Sequence, residues 1–220
     1  MKNLIKLSIV VLLLSIGSDS FAQTFGIKAG LNLSNFRIKD DDDTLSDDFK
    51  MNPGFHIGPK VEFPINELFS IESGLLISTK GFKVSEKGTH MGETFDYKQK
   101  LNLLYLDVPL TAKATYDIGD AKIYGTFGPY IGTGLSGKAK YEADGHTDED
   151  DVNFGPVEDD DDLKRLDYGL TAGAGIGFNA IQIGITYGLG LANISINTDD
   201  GYKINNRILG FSVGYKFGGN

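Results

Sequence analysis

The sequence contains no cysteine. Disulfides are therefore excluded, and an exported chain of this kind must hold together by backbone pairing and side-chain packing alone. Cations are in deficit: 21 Lys and Arg face 30 Asp and Glu, a formal net charge of −9, which argues against a nucleic-acid partner. After the first 23 residues, no apolar run approaches the roughly eighteen residues of a membrane-crossing helix. The remaining choices are a chain soluble outside the cytoplasm or one that crosses a membrane as a closed barrel.

What is present begins with "MKNLIKLSIVVLLLSIGSDSFAQ". Lys2 and Lys6 precede an apolar core over residues 7–16, and Ser20 and Ala22 stand where a signal peptidase needs small residues. The pattern predicts a secretory signal peptide over residues 1–22, cut after Ala22. With no cysteine after the apolar core, a lipoprotein anchor is excluded. Residues 23–220 then suit a single domain.

That domain reads as eight strands by period-two alternation, over residues 25–36, 54–63, 68–83, 97–116, 121–136, 166–178, 181–194 and 207–217. In the first, Phe25, Ile27, Ala29 and Leu31 alternate with Gly26, Lys28, Gly30 and Asn32. The connections at 64–67, 117–120 and 179–180 are tight and rich in turn formers. Those at 37–52, 84–96, 137–165 and 197–206 are long. Short turns at one end and long loops at the other predict an all-β, eight-stranded antiparallel up-and-down transmembrane β-barrel, with periplasmic turns, extracellular loops and both termini periplasmic.

In that arrangement the apolar face meets lipid and the other face lines the lumen. The lumen face carries Lys28, Lys60, Lys80, Lys113, Lys122 and Lys216 beside Glu62, Glu72, Asp107 and Asp167. Eight strands enclose a space that side chains fill, and an unpaired charge is costly there, so these ten residues are expected to form a charge network. Ser136 is also placed inward. Glycines of strands five to seven leave room for Tyr105, Tyr124 and Tyr130, and a continuous pore is not expected. Phe25, Phe63, Phe69, Tyr116, Phe178, Tyr215 and Phe217 cluster near the short-turn end, like the aromatic girdle of a membrane interface.

"FGIKAGLNLSNF", "YLDVPLTAKATY", "GPYIG", "DYGLTAGAGIGF" and the terminal "ILGFSVGYKF" together resemble the PorT-like outer-membrane β-barrel family over nearly all of the mature chain. The resemblance implies an eight-stranded barrel in the outer membrane of Gram-negative bacteria. It also implies contact with outer-membrane lipid and lipopolysaccharide, insertion by the barrel assembly machinery, and a link to protein secretion or envelope integrity. It implies no catalytic residues.

The long loops concentrate acidic residues, including Asp40, Asp41, Asp42 and Asp43, then Asp148 and Asp150, then Asp159, Asp160 and Asp161. Such runs are usually solvated; carboxylate clusters also suit Ca²⁺ or Mg²⁺, although none has the spacing of a calcium-binding loop. No other cofactor is expected. Three functions stay open: a structural or interaction barrel, a narrow transport or small-ligand barrel, and a lipid-modifying enzyme. The last would need a histidine base, and no pattern places a serine beside His56, His90 or His146. The expectation is that the chain is not an enzyme.

Overall fold

The computed structural model of the protein describes residues 23–39, 50–90, 93–143, 146–156 and 161–217. The predicted signal peptide and the Asp40–Asp43 run lie outside them. Among the described residues ten strands follow one another: β1 (Thr24–Lys39), β2 (Asn52–Pro64), β3 (Phe69–Gly74), β4 (Leu76–His90), β5 (Glu93–Ile118), β6 (Ala121–Ala143), β7 (His146–Val152), β8 (Leu166–Phe178), β9 (Ile181–Gly190) and β10 (Lys203–Phe217). They make eight staves. β3 and β4 form one stave interrupted at Leu75, and β7 folds back on the far end of β6. The ring closes where β1 pairs with β10, in antiparallel register from Phe25↔Phe217 to Lys39↔Lys203. Closure removes every free edge from the ring.

The short turns use the predicted chemistry. Asn66 accepts hydrogen bonds from the backbone N–H groups of Leu68 and Phe69 at 2.9 and 2.8 Å, an Asx turn. Gly119 (φ 69°) and Asn179 (φ 53°) take the left-handed conformation that tight hairpins demand.

Alternation then sorts the side chains. Phe127, Ile185 and Phe211 point outward, Phe127 being 60% exposed, while Lys113 is fully buried inside. The seven predicted girdle aromatics are all exposed at the short-turn rim.

The structure departs from the sequence reading at two of the long connections. Of residues 84–96, expected as a loop, 84–90 and 93–96 continue the β4–β5 pairing, and residues 137–165 include the end of β6 and all of β7. Beyond a membrane a hairpin needs only its hydrogen-bonded ladder, so polar stretches such as "KVSEKGTH" stay paired without an apolar face. Ser136 is the second departure. The register shifts from Leu104↔Ser136 to Tyr105↔Gly134, leaving Leu135 as the extra residue of a bulge. Leu135 and Ser136 are therefore both exposed, and the inner face resumes at Gly137 and Ala139.

Above this bulge the interior changes character. Phe36, Ile38, Phe82, Leu101, Leu103 and Ala139 point inward and are buried. Phe154, Leu163, Ala192 and Ile194 come in from the long connections and join the same cluster. The loop-end third of the barrel is thus filled by an apolar cap, with Phe36 and Phe82 rings 5.2 Å apart. Below it the lumen is polar.

Candidate functional site

The polar lumen holds two ion-pair clusters. In the one nearer the short turns, cations and anions alternate along a chain. Lys216 binds Glu62 (3.0 Å), Glu62 binds Lys113 (2.9 Å), Lys113 binds Glu72 (3.1 Å), and Glu72 binds Lys60 (3.0 Å). Lys60 also donates to Gln182, and Ser70 donates to Glu62 at 2.8 Å. These residues come from β2, β3, β5, β9 and β10, so the chain of charges staples the barrel across its width. The Lys113 ammonium also lies 4.6 Å from the Tyr124 ring centroid, a favourable cation–π distance.

The second cluster lies beneath the cap. Lys80 binds Asp107 and Asp167, both at 2.8 Å, and Lys80 and Asp167 are completely buried. Tyr130 and Asn206 donate to the same Asp167 oxygen at 3.2 and 2.9 Å. The Lys80 ammonium sits 4.4 Å from the Tyr105 ring centroid and 4.8 Å from that of Tyr130. Tyr105 also meets Phe154 of the cap edge-on at 5.6 Å. One ring therefore joins the charged and apolar interiors.

Glycine makes the tyrosines fit. A Cβ on Gly175 would lie 2.3 Å from both the Tyr124 hydroxyl and the Ile183 carbonyl oxygen, closer than any real contact.

Nine of the ten predicted lumen charges face this interior, and eight of them are ion-paired across it. The exceptions are informative. Lys122 sits at the open mouth, where it pairs with Asp117 at 3.1 Å and both side chains are exposed. It is the first inward position after the turn and lines an open vestibule of about 600 Å³ together with Glu62 and Lys216; it is not part of the buried chain. Lys28 does lie within the lumen, where it lines a cavity of about 100 Å³ with His56, Glu72, Asp107 and Tyr130. Among the described residues, the Lys28 amine has no hydrogen-bond or ion-pair partner. A cavity of that size accommodates several waters or a small ligand.

His56 belongs to a separate polar cluster. Asn32 donates to Ser78 at 3.0 Å and to the Phe55 and Thr79 carbonyls, so its side-chain oxygen is the acceptor for His56 Nδ1 at 2.7 Å. That assigns the Nδ1–H tautomer. His56 thus binds an amide and not a serine hydroxyl.

Of the acidic metal candidates, Asp148 and Asp150 lie exposed on β7, opposite Tyr141 and Ala139, and Asp161 packs beside Gly155. Asp159 and Asp160, like Asp40 to Asp43, lie outside the described residues. Among the described residues, no three His, Asp or Glu side chains converge to hold a metal ion.

The chain matches the family described as "Outer membrane protein beta-barrel domain" over residues 21–196. Similar solved structures include Ail, the attachment invasion locus protein of Yersinia pestis, crystallised with the heparin analogue sucrose octasulfate. It is 20% identical, with 89% of this chain and 99% of that one covered and a TM-score of 0.35. Neisserial surface protein A is 12% identical (88% and 97% covered, TM-score 0.41). The outer membrane protease OmpT of Escherichia coli is 10% identical (92% and 100% covered, TM-score 0.28). No curated protein matches the chain.

Proposed function

This chain belongs to the outer membrane protein beta-barrel domain family, and from that premise we propose that it is a closed, non-conducting barrel whose work is done by the surfaces it presents. The observation that carries this reading is the double obstruction of the lumen. Ion pairs cross it near the short turns, and the apolar cap fills it near the loops. Water and ions would have to break buried salt bridges at one level and enter a hydrocarbon core at the other. An integral outer-membrane protein with no open channel acts through its outer wall and its loops. The long β4–β5 and β6–β7 hairpins raise those loops well clear of the apolar belt.

On this reading residues 1–22 are an export signal, both ends of the mature chain are periplasmic, and the acidic loops face outward. The PorT-like motifs favour a role in secretion or envelope integrity over an enzymatic one, and the engagement of His56 by Asn32 agrees with this. Planar-bilayer recording of the purified, folded protein tests the central point. No conductance steps are expected, and reproducible channel openings would overturn the reading.

One observation favours a second reading, a small-ligand site inside the barrel. The Lys28 amine faces a lumen cavity with no hydrogen-bond or ion-pair partner among the described residues. Calorimetric titration with small carboxylates, compared between the natural protein and Lys28→Met, tests it. Equal heats from both would dismiss it.

A further inference from the structure

The outer wall carries a second chemical boundary, above the apolar belt. Going toward the loops, the outward residues of β5 run Leu110, Val108, Leu106 and Leu104, then Asn102, Lys100 and Lys98. On β6, Phe127, Ile131 and Leu135 give way to Lys138 and Lys140. On β4, Ile77 and Thr79 give way to Lys83. Register brings the lysines together, because Lys83 lies directly opposite Lys100 and Lys100 directly opposite Lys140. Adjacent strands are about 4.8 Å apart, so the three lysine backbones stand in a row within about 10 Å, with their side chains on one face.

Like charges directly opposite on neighbouring strands are destabilising. Among the described residues, neither Lys83 nor Lys100 has an ion-pair or hydrogen-bond partner for its amine, whereas Glu142 engages Lys98 and Lys140 at 3.2 and 3.1 Å. On the opposite side of the barrel, at the loop end of the closing seam, Lys39 lies directly opposite Lys203. At the β7 edge of the row Lys140 lies opposite Glu149, and Lys138 pairs with Glu149 and Asp151, so within a chain of net charge −9 the cations without a carboxylate partner among the described residues are Lys83 and Lys100 at the row's centre and Lys39 and Lys203 at the seam.

We propose that the Lys83–Lys100–Lys140 row binds the phosphate groups of an outer-leaflet glycolipid whose acyl chains lie on the belt below. Height supports a lipid over a soluble anion. The row stands four residues above Leu104, about 13 Å of strand, or about 10 Å of vertical rise at a tilt near 40°. The headgroup layer is about 5–8 Å deep on each side, so the lysine backbones stand just above it and their flexible stems reach down to it. Continuity supports it as well, since the same three staves present Ile77, Leu106 and Ile131 directly beneath. The proposal needs only the membrane placement, so it stands or falls independently of whether the lumen conducts.

The test is native mass spectrometry of the detergent-solubilised full-length protein titrated with diphosphoryl lipid A, and separately with fully dephosphorylated lipid A. The natural protein should bind the phosphorylated form more tightly. Each lysine beside an anionic lipid surface contributes about 1 kcal/mol, roughly a five-fold change in affinity. The variant K83Q/K100Q/K140Q should therefore lose on the order of a hundred-fold in affinity at low salt, and less as salt is added. Lys122→Gln, at the opposite rim, should change nothing. Equal binding by the triple variant, or equal affinity for the dephosphorylated lipid, overturns the proposal. So does equally tight binding of an acyl-free phosphorylated core sugar through the same lysines, which would assign the row to a soluble anion. Should the triple variant fail the heat-modifiability check for folding, Lys100→Gln alone should still lower affinity about five-fold.

Discussion

The two halves of the barrel's interior solve one problem by opposite means. Near the short turns, the enclosed space is filled by lysines and carboxylates in alternation. Near the loops, the same inward positions of the same staves carry Phe36, Phe82, Leu101 and Leu103. The charged half stands level with lipid and the apolar half stands above it. Where the outer wall must be apolar, a polar inside keeps the two faces of each strand distinct, so a one-residue slip would put charges into lipid. Where the wall meets water or headgroups, an apolar inside gives the same discrimination with the signs exchanged. Each half therefore specifies strand register, and Tyr105 sits at the boundary.

The contrast is broken most severely at Lys80. Lys80→Met leaves Asp107 and Asp167 buried without a cation, and about 3–5 kcal/mol of stability should disappear. Urea unfolding from lipid vesicles would measure it. Replacing Lys80, Asp107 and Asp167 together by apolar residues of similar size should recover most of that loss, because a buried ion triad is weak net stabilisation. In the cap, Leu103→Ala should cost about 2–5 kcal/mol through transfer and cavity effects, with no dependence on salt or pH in the same assay. The glycine lining comes next. Gly175→Ala places a methyl against Tyr124 and the Ile183 carbonyl and should cost about 1–3 kcal/mol by overpacking, visible as a lower unfolding midpoint.

Least affected should be Glu142, outside the barrel wall. Hydrogen bonds from Lys140 and Lys98 hold its carboxyl below the usual glutamate range. A depressed folded value means that any stabilisation is present above the ordinary glutamate range and lost as pH falls through the folded value. Because the group stands part-exposed at the surface, where such pairs contribute little, the unfolding midpoint of Glu142→Gln should match that of the natural protein within error at every pH.

The staves were legible in the sequence because alternation survives wherever lipid demands apolar residues. The inward direction of Lys60, Lys113 and Asp167 followed from that parity alone. Which charges pair did not follow: Lys80 meets Asp167 across 87 residues of chain, a contact that only closure of the ring creates. The cap was illegible for a different reason. Leu101 and Leu103 extend a face that is polar lower down, and Phe154 and Leu163 come from an acidic, aperiodic stretch, so no single period identifies them as core. Ser136 was misplaced because a bulge leaves the apolar–polar pattern locally intact while reversing which residues point in. Lys122 was assigned by parity, which reports direction but not depth, so a mouth residue read like a lumen residue. The lysine row is invisible along the chain and exists only across strands.

The seam between the first and last staves has a consequence for time as well as shape. Phe25 can find Phe217 only after the final strand has left the ribosome, so no portion of the cylinder can close during synthesis. Until then the outermost strands remain templates for wrong partners, and pairings this distant in sequence form slowly. Until its last strand is made the chain is an unclosed ribbon, and the seam can form only after every other stave exists.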